Sequence, residues 1–154
     1  MKKGKYSLPF QRLLPIRRCT APTHKDTKDF WCIDFFMLPN TKVLAARGGV
    51  VKDLESRFKK SYRDMRFIDR CNFIIIAHSD GEETVYAHLA HDSLRVKKNQ
   101  KVKRGQVIGL SGQTGYAWYP HLHFGIYAKN GKNIKANFNA SLPKRVCFKK
   151  YVHN

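Results

Sequence analysis

Two histidines two residues apart, His121 and His123, lie in the stretch Ser111–Tyr127, SGQTGYAWYPHLHFGIY. Side chains at i and i+2 of a β-strand leave the same face, and the run from His121 to Tyr127 alternates well enough to be one. Two imidazoles on one face, behind an approach containing Gly and Pro, suit a metal ligand beside a general base. For so short a motif the competing reading is a pair of solvated or core histidines. A carboxylate in a comparable setting is Asp34, in the middle of the apolar run Phe30–Leu38, FWCIDFFML. Buried in a strand, it is costly unless it is paired or binds a metal. A third imidazole, His88, shares a face with Tyr86 at the end of the run Thr84–Leu89, TVYAHL.

The elements that must carry these groups read as short strands. Phe30–Leu38 predicts a strand closed by Pro39-Asn40. Val43–Ala46 and Val50–Val51 predict two more, joined at Arg47-Gly48-Gly49. Residues 52–70 are densely charged and lack a period, which fits either one short helix or a long exposed loop. Phe73–Ala77 and Thr84–Leu89 flank Asp80-Gly81, a hairpin signal. From Val96 to Gly109 short apolar pairs alternate with turns, Asn99 and Gly105 being suited to positive φ. The lysines there read as the solvated sides of a twisted hairpin in preference to a specific anion site. Lys129-Asn130-Gly131-Lys132 predicts another hairpin turn. Residues 1–30 are irregular, with Leu8, Phe10, Leu13, Leu14 and Ile16 tacking an arm onto the body, and Phe138, Leu142, Val146 and Phe148 are packing points of a basic tail. With no long amphipathic helix and no repeat of solenoid length, the predicted class is mainly β.

A chain of 154 residues is expected to form one domain that buries about two-thirds of its unfolded surface. Its 30 Lys+Arg against 11 Asp+Glu give a net charge of +19, which points to polyanionic company: nucleic acid, an anionic cell wall or acidic lipid head groups. The start, Met1–Ser7, is basic but lacks the apolar segment of a signal peptide. No apolar run approaches a membrane span. Cys19, Cys32, Cys71 and Cys147 are widely separated, without a Cys-x-x-Cys pair, which argues against a zinc ribbon or redox motif and leaves the disulfide state open.

Four separated stretches carry a resemblance. They are Cys-Ile-Asp-Phe at 32–35; Asp80-Gly81 followed by Tyr86-Ala87-His88-Leu89; Gly105-Gln106-Val107-Ile108-Gly109; and Ser111-Gly112-Gln113-Thr114-Gly115 leading to Pro120-His121-Leu122-His123-Phe124. In this order, with Ala45-Ala46-Arg47 and Asn72, the chain resembles the lysostaphin-like zinc metallopeptidases, which are peptidoglycan endopeptidases, over roughly residues 23–128. The resemblance implies a compact antiparallel β-sheet/barrel-sandwich hybrid with long loops forming a cleft. It implies an arm at 1–22 and a peptidase domain at 23–154 with a basic C-terminal tail. The family's ligand Asp falls on Asp34, the second His of its His-x-His on His123, the first on His121, and the His of its Tyr-x-His-Leu on His88. The commonest pattern places a further ligand His four residues before the Asp, where this chain has Phe30. Members with a Ser/Thr-His pair further upstream match Thr23-His24, so the implied Zn2+ ligands are His24, Asp34 and His123.

Two imidazoles and a carboxylate make a tetrahedral zinc site with one position open for water, as hydrolysis requires. There is no His-Glu-x-x-His, so a histidine must serve as base. His121 is placed for that, beside His123, while His88 steadies the water or donates to the developing oxyanion; the two roles are exchangeable. Tyr116, Trp118 and Tyr119 are candidates for the wall of a substrate cleft, and residues 52–70 for the opposite wall. Cys32 shares the face of Asp34 and reads as a small packing thiol before a ligand. His78 is expected to bond backbone at its turn, and His91 and His153 to be exposed. The implied function is zinc-dependent cleavage of peptidoglycan peptide cross-links, with an inactive wall-binding or regulatory domain on the same scaffold as the alternative. The implied location is the periplasm or cell exterior, the signal segment being absent from this sequence, and the positive charge then serves attraction to anionic envelope polymers. Specific nucleic-acid binding is not expected, because the lysines are scattered over hairpin edges without interleaved aromatics.

Overall fold

The computed structural model describes residues 4–11, 16–19 and 28–144. Their strands are β1 (Arg17–Cys19), β2 (Ile33–Phe36), β3 (Lys42–Leu44), β4 (Gly49–Glu55), β5 (Ser61–Tyr62), β6 (Phe73–Ala77), β7 (Glu83–Ala87), β8 (Lys101–Val102), β9 (Val107–Leu110), β10 (Gly115–Tyr116), β11 (His121–Tyr127) and β12 (Asn133–Ile134), with a short 3-10 helix at Met65–Phe67. An antiparallel sheet runs in the order β1-β2-β11-β7-β6-β4-β8, with β12 also paired to β11. Two small sheets, β3 with β9 and β5 with β10, complete a mostly β fold.

Parity along the strands divides the main sheet. Leu122, Phe124 and Ile126 of β11 point one way with Ile33 and Phe35 of β2, Tyr86 of β7 and Ile74 and Ile76 of β6, and all are buried in one cluster. The arm supplies Tyr6, Leu8, Phe10 and Ile16 to the same core. Phe138 and Leu142 pack against it as the sequence suggests, whereas Leu13, Leu14, Val146 and Phe148 lie outside the described residues. The other face of β11 carries His121 and His123, which are buried or nearly so beside the buried Asp34.

The hairpin turns at Gly81 (φ 83°) and Gly131 (φ 76°) form where Asp-Gly and Asn-Gly mark them. Several expected boundaries move. Phe30–Leu38 shortens to Ile33–Phe36 because residues 28–31 form a turn, closed by the Cys32 N–H donating to the Asp29 carbonyl at 2.9 Å. The run Val43–Ala46 becomes Lys42–Leu44, and Thr84–Leu89 becomes Glu83–Ala87, since His88 takes φ 62° and breaks the extended path.

Val50–Val51 grows into seven residues of β4, absorbing the start of the charged stretch. Its register against β6 shifts between Val51 and Asp53; such a bulge reverses side-chain parity and hides the period from the sequence. The remainder of 52–70 holds a short helix, as one of the two expectations had it, but only the 3-10 turn Met65–Phe67, which Asp64 caps by accepting from the Arg66 N–H at 2.9 Å; Ser61–Tyr62 ahead of it pair in parallel with Gly115–Tyr116. The twisted hairpin expected at 96–109 is also absent, because β8 pairs with β4 and β9 with β3 instead of with each other.

Candidate functional site

The register of three strands builds the site. His123 of β11 lies opposite Asp34 of β2 on one side and Ala87 of β7 on the other, and His121 lies opposite Phe36. Asp34 and His123 therefore meet across one rung, with Asp34 Oδ1 3.0 Å from His123 Nδ1 and 3.8 Å from His121 Nε2. His88, one residue past β7, folds in from the third strand: its ring centroid is 4.5 Å from that of His121 and 6.0 Å from that of His123. The structure thus brings together Asp34, His88, His121 and His123, which lie as far as 89 positions apart in sequence. His24 lies outside the described residues.

Backbone carbonyls fix two of the rings. A carbonyl can only accept, so the contact of His88 Nδ1 with Thr114 O at 2.7 Å places the ring proton on Nδ1. The same argument applies to His121 Nδ1 and Tyr119 O at 2.8 Å. In the neutral rings both Nε2 atoms keep a lone pair. Burial, then the neighbouring His121 and His123, push the His88 pKa down to about 3, so this ring is neutral. For His123 burial works against the charge, but hydrogen bonds to Asp34 and Cys32 outweigh it and raise its pKa well above the ordinary value. Two neighbouring oxygen and nitrogen donors thus share a proton in a dry place, the position a cation would take.

The geometry suits a metal. Two ligand atoms each about 2.1 Å from a tetrahedral ion stand about 3.4 Å apart, close to the 3.0 Å between Asp34 Oδ1 and His123 Nδ1. Among the described residues no three His, Cys, Asp or Glu side chains form a ready-made metal cage. Cys32 is fully buried, its Sγ 3.5 Å from both Tyr127 Oη and Asn133 Nδ2. Cys32 and Cys71 are free thiols, while the side chain of Cys19 and the whole of Cys147 lie outside the described residues.

The aromatic residues of the approach are half-buried or exposed: Tyr116 and Trp118 half-buried, Tyr119 49% exposed. The basic stretch does come alongside them. Arg63 stacks its guanidinium 5.2 Å over the Trp118 ring, and the Ala117 N–H donates to Tyr62 O at 3.2 Å. His78 bonds Gly48 O at 2.9 Å as expected, and also Thr84 Oγ1 at 3.1 Å. His91 is half-buried, not exposed, because it reaches Ser56 O and Asp92; His153 lies outside the described residues.

Asn72 and Thr114 support the site, a role that the sequence does not announce. Asn72 is fully buried. Its side chain joins Phe58 and Leu89 backbone, and its N–H donates to Thr114 Oγ1 at 3.0 Å. Thr114 Oγ1 donates in turn to Leu89 O at 2.8 Å. This hub sets the Thr114 carbonyl that orients His88. The only signal available beforehand was a polar residue, Asn72, placed next to the apolar run Phe73–Ala77.

Residues 30–136 match the model of peptidase family M23. Over 139 residues the chain is 35% identical to the peptidoglycan DD-endopeptidase ShyA of Vibrio cholerae, a match covering 88% of this chain and 28% of that protein. The catalytic domain of the antimicrobial peptidase lysostaphin from Staphylococcus simulans aligns with a TM-score of 0.55 at 26% identity, over 87% of each chain. A zinc containing peptidase from Vibrio cholerae aligns with a TM-score of 0.60 at 27% identity, over 88% of this chain and 41% of that one. The chain spans about a third or less of the length of the first curated relatives it matches. With the family match reaching across Asp34, His88, His121 and His123, the chain belongs to peptidase family M23.

Proposed function

We propose that this M23 peptidase is a zinc-dependent endopeptidase that hydrolyses peptide cross-links of bacterial peptidoglycan. The observation that carries the reading is the buried Asp34 carboxylate 3.0 Å from His123 Nδ1, with His121 and His88 closed around it. Asp34 and His123 would hold the ion, and His24 would complete its protein ligands. When bound, the ion supplies a lowered pKa for water and a polarised scissile carbonyl. The chain's own groups do the rest. His121 offers its Nε2 lone pair to the proton of the attacking water, its ring held by Tyr119 O. The imidazolium so formed is stabilised by Asp34 and can return the proton to the leaving amine. His88, neutral with its proton on Nδ1, accepts a hydrogen bond from the water at Nε2 and steadies it, which favours His121 as the base of the two. Tyr116, Trp118 and Tyr119 offer rings and edges for a glycopeptide.

This reading makes residues 23–154 the peptidase domain and 1–22 an arm laid on it. It places the protein in the bacterial envelope, in the periplasm or outside the cell, where the net charge of +19 favours anionic polymers. Support comes from the named activity of ShyA and from the metal-compatible pair. The test is digestion of purified murein by zinc-loaded protein: new cross-link termini are expected, and none with zinc bound would reject hydrolysis. Zinc content of His24→Ala protein is read alongside it; undiminished zinc removes His24 from the ligands. A second reading, an inactive wall-binding domain, has one observation behind it, the half-exposed Phe30 where the commonest family pattern has a ligand His. It is the outcome if murein binds and is not cut.

A further inference from the structure

All 11 acidic residues precede Ser93, leaving the last 62 residues without a side-chain carboxylate. Within this part, Val96-Lys97-Lys98-Asn99-Gln100 and Val102-Lys103-Arg104-Gly105-Gln106 repeat one pattern six residues apart, and the structure repeats with it. In each, the valine is buried and the next three residues are exposed. In each, the Gln N–H donates to the Lys carbonyl at 3.1 Å, and the Gln side-chain oxygen accepts from the N–H of the same Lys, at 2.9 Å in the first turn and 3.0 Å in the second. The third turn residue has positive φ, 67° at Asn99 and 81° at Gly105, as a type II turn requires. Each turn is also tied down from that residue's N–H, Asn99 to Val51 O and Gly105 to Ala45 O, both at 2.8 Å.

The result is a pair of like turns, each fixed through its backbone and each carrying exposed cations. Lys97, Lys101, Lys103 and Arg95 are exposed, and among the described residues none has an acidic partner. Lys98 is drawn to Asp53 at 3.3 Å and Arg104 donates to the Lys5 carbonyl at 2.5 Å. The patch sits at β8, four strands from β11 in the sheet, which is about 19 Å away at the usual strand spacing. A ligand there leaves the catalytic row free.

We propose that the two turns form a docking site for a linear phosphodiester polymer without bases, separate from the active site. A repeated charge on the protein matches a repeated charge on a chain, and backbone already fixed leaves only lysine side chains to be ordered on binding. Lysine is a point charge that meets a phosphate oxygen from any direction, which suits a flexible polymer. Residues 95–106 contain no aromatic on which a nucleobase would stack. The site is independent of peptidase activity, so its failure and that of the catalytic reading are distinguishable.

The test is binding of poly(glycerol phosphate) to the full chain, beside poly-L-glutamate and a single-stranded oligodeoxynucleotide of equal charge. The site variant replaces Lys97, Lys98, Lys101 and Lys103 by Gln; a control of equal charge loss replaces Lys28, Lys59, Lys60 and Lys132. The site variant is expected to bind the phosphodiester polymer at least about tenfold more weakly, with a salt dependence flatter by about one log-log unit per lysine. The control is expected to lose little. Equal loss in both would overturn the proposal in favour of net charge alone. Tighter binding of the oligonucleotide, tighter binding of polyglutamate, or no binding at low salt would overturn it as well. Should the site variant fail to fold, acetylation of the unmodified protein decides: the polymer must protect the lysines of the two turns over Lys28 and Lys132.

Discussion

The two faces of β11 share one strand and obey different chemistry. Leu122, Phe124 and Ile126 are at most 1% exposed and belong to the hydrophobic core cluster. His121 and His123, one residue out of phase, are also nearly buried but surround a carboxylate. The first face gains free energy by leaving water, about 1.5–3 kcal/mol for each large side chain. The second buries polar groups, which is tolerable only because each is hydrogen-bonded. Stability and chemistry are thus separated by parity, and a one-residue slip of β11 would lose both together.

Substitution on each face breaks that comparison in opposite ways. Asp34→Asn should lower hydrolysis by more than about 100-fold, beyond what losing a supporting partner costs, while zinc content falls and the unfolding midpoint moves little. Phe124→Ala should cost about 3–5 kcal/mol of stability and leave zinc stoichiometry of the folded fraction intact. Denaturant melts paired with metal analysis check both. If Asp34→Asn unfolds the protein, or Phe124→Ala empties the metal, the faces are not independent.

Thr114→Val sharpens the boundary between the faces, since it leaves the Asn72 N–H without its acceptor. A loss of about 1–3 kcal/mol is expected. It should be accompanied by a fall in kcat of about 10–100-fold with KM nearly unchanged, and by recovery in Thr114→Ser. A change in KM alone would show that the hub does not act through His88.

The smallest effect is electrostatic and lies away from both faces, where Lys5 pairs with Asp80 at 2.7 Å and Glu82 at 2.6 Å. The hydrogen bond from Lys5 lowers the Asp80 pKa; for Glu82 burial opposes, but bonds from Lys5 and Tyr6 prevail and lower it too. Carboxyls depressed in the folded state add stability above their ordinary values of 3.8 and 4.5 and lose it as pH falls below them. Asp80→Asn should therefore lower the melting temperature slightly at pH near 7 and by less near pH 2, since the contribution fades between the ordinary and the depressed pKa. An equal shift at both would contradict the assignment.

Local chemistry was readable in the residues and distant pairing was not. The alternation of β11 and the turns at Asp80-Gly81 and Asn130-Gly131 are set by neighbours in sequence, and they form where expected. The stretch 52–70 misled because a bulge at Lys52 resets the parity of β4. Residues 96–109 misled because their strands pair with β4 and β3, far away in the chain. The convergence of Asp34, His88, His121 and His123 followed from the family resemblance. The hub of Asn72 and Thr114 joins residues 42 positions apart through bonds that no spacing announces.

The central claim is that Asp34 and His123 are two ligands of one ion. Anomalous diffraction at the zinc edge, on crystals grown without chelator, tests it most directly. The account predicts a peak about 2.0–2.2 Å from Asp34 Oδ1 and His123 Nδ1, with His24 as the third protein ligand. A fully loaded ion bound elsewhere, or no peak between those two atoms in zinc-saturated crystals, would contradict it.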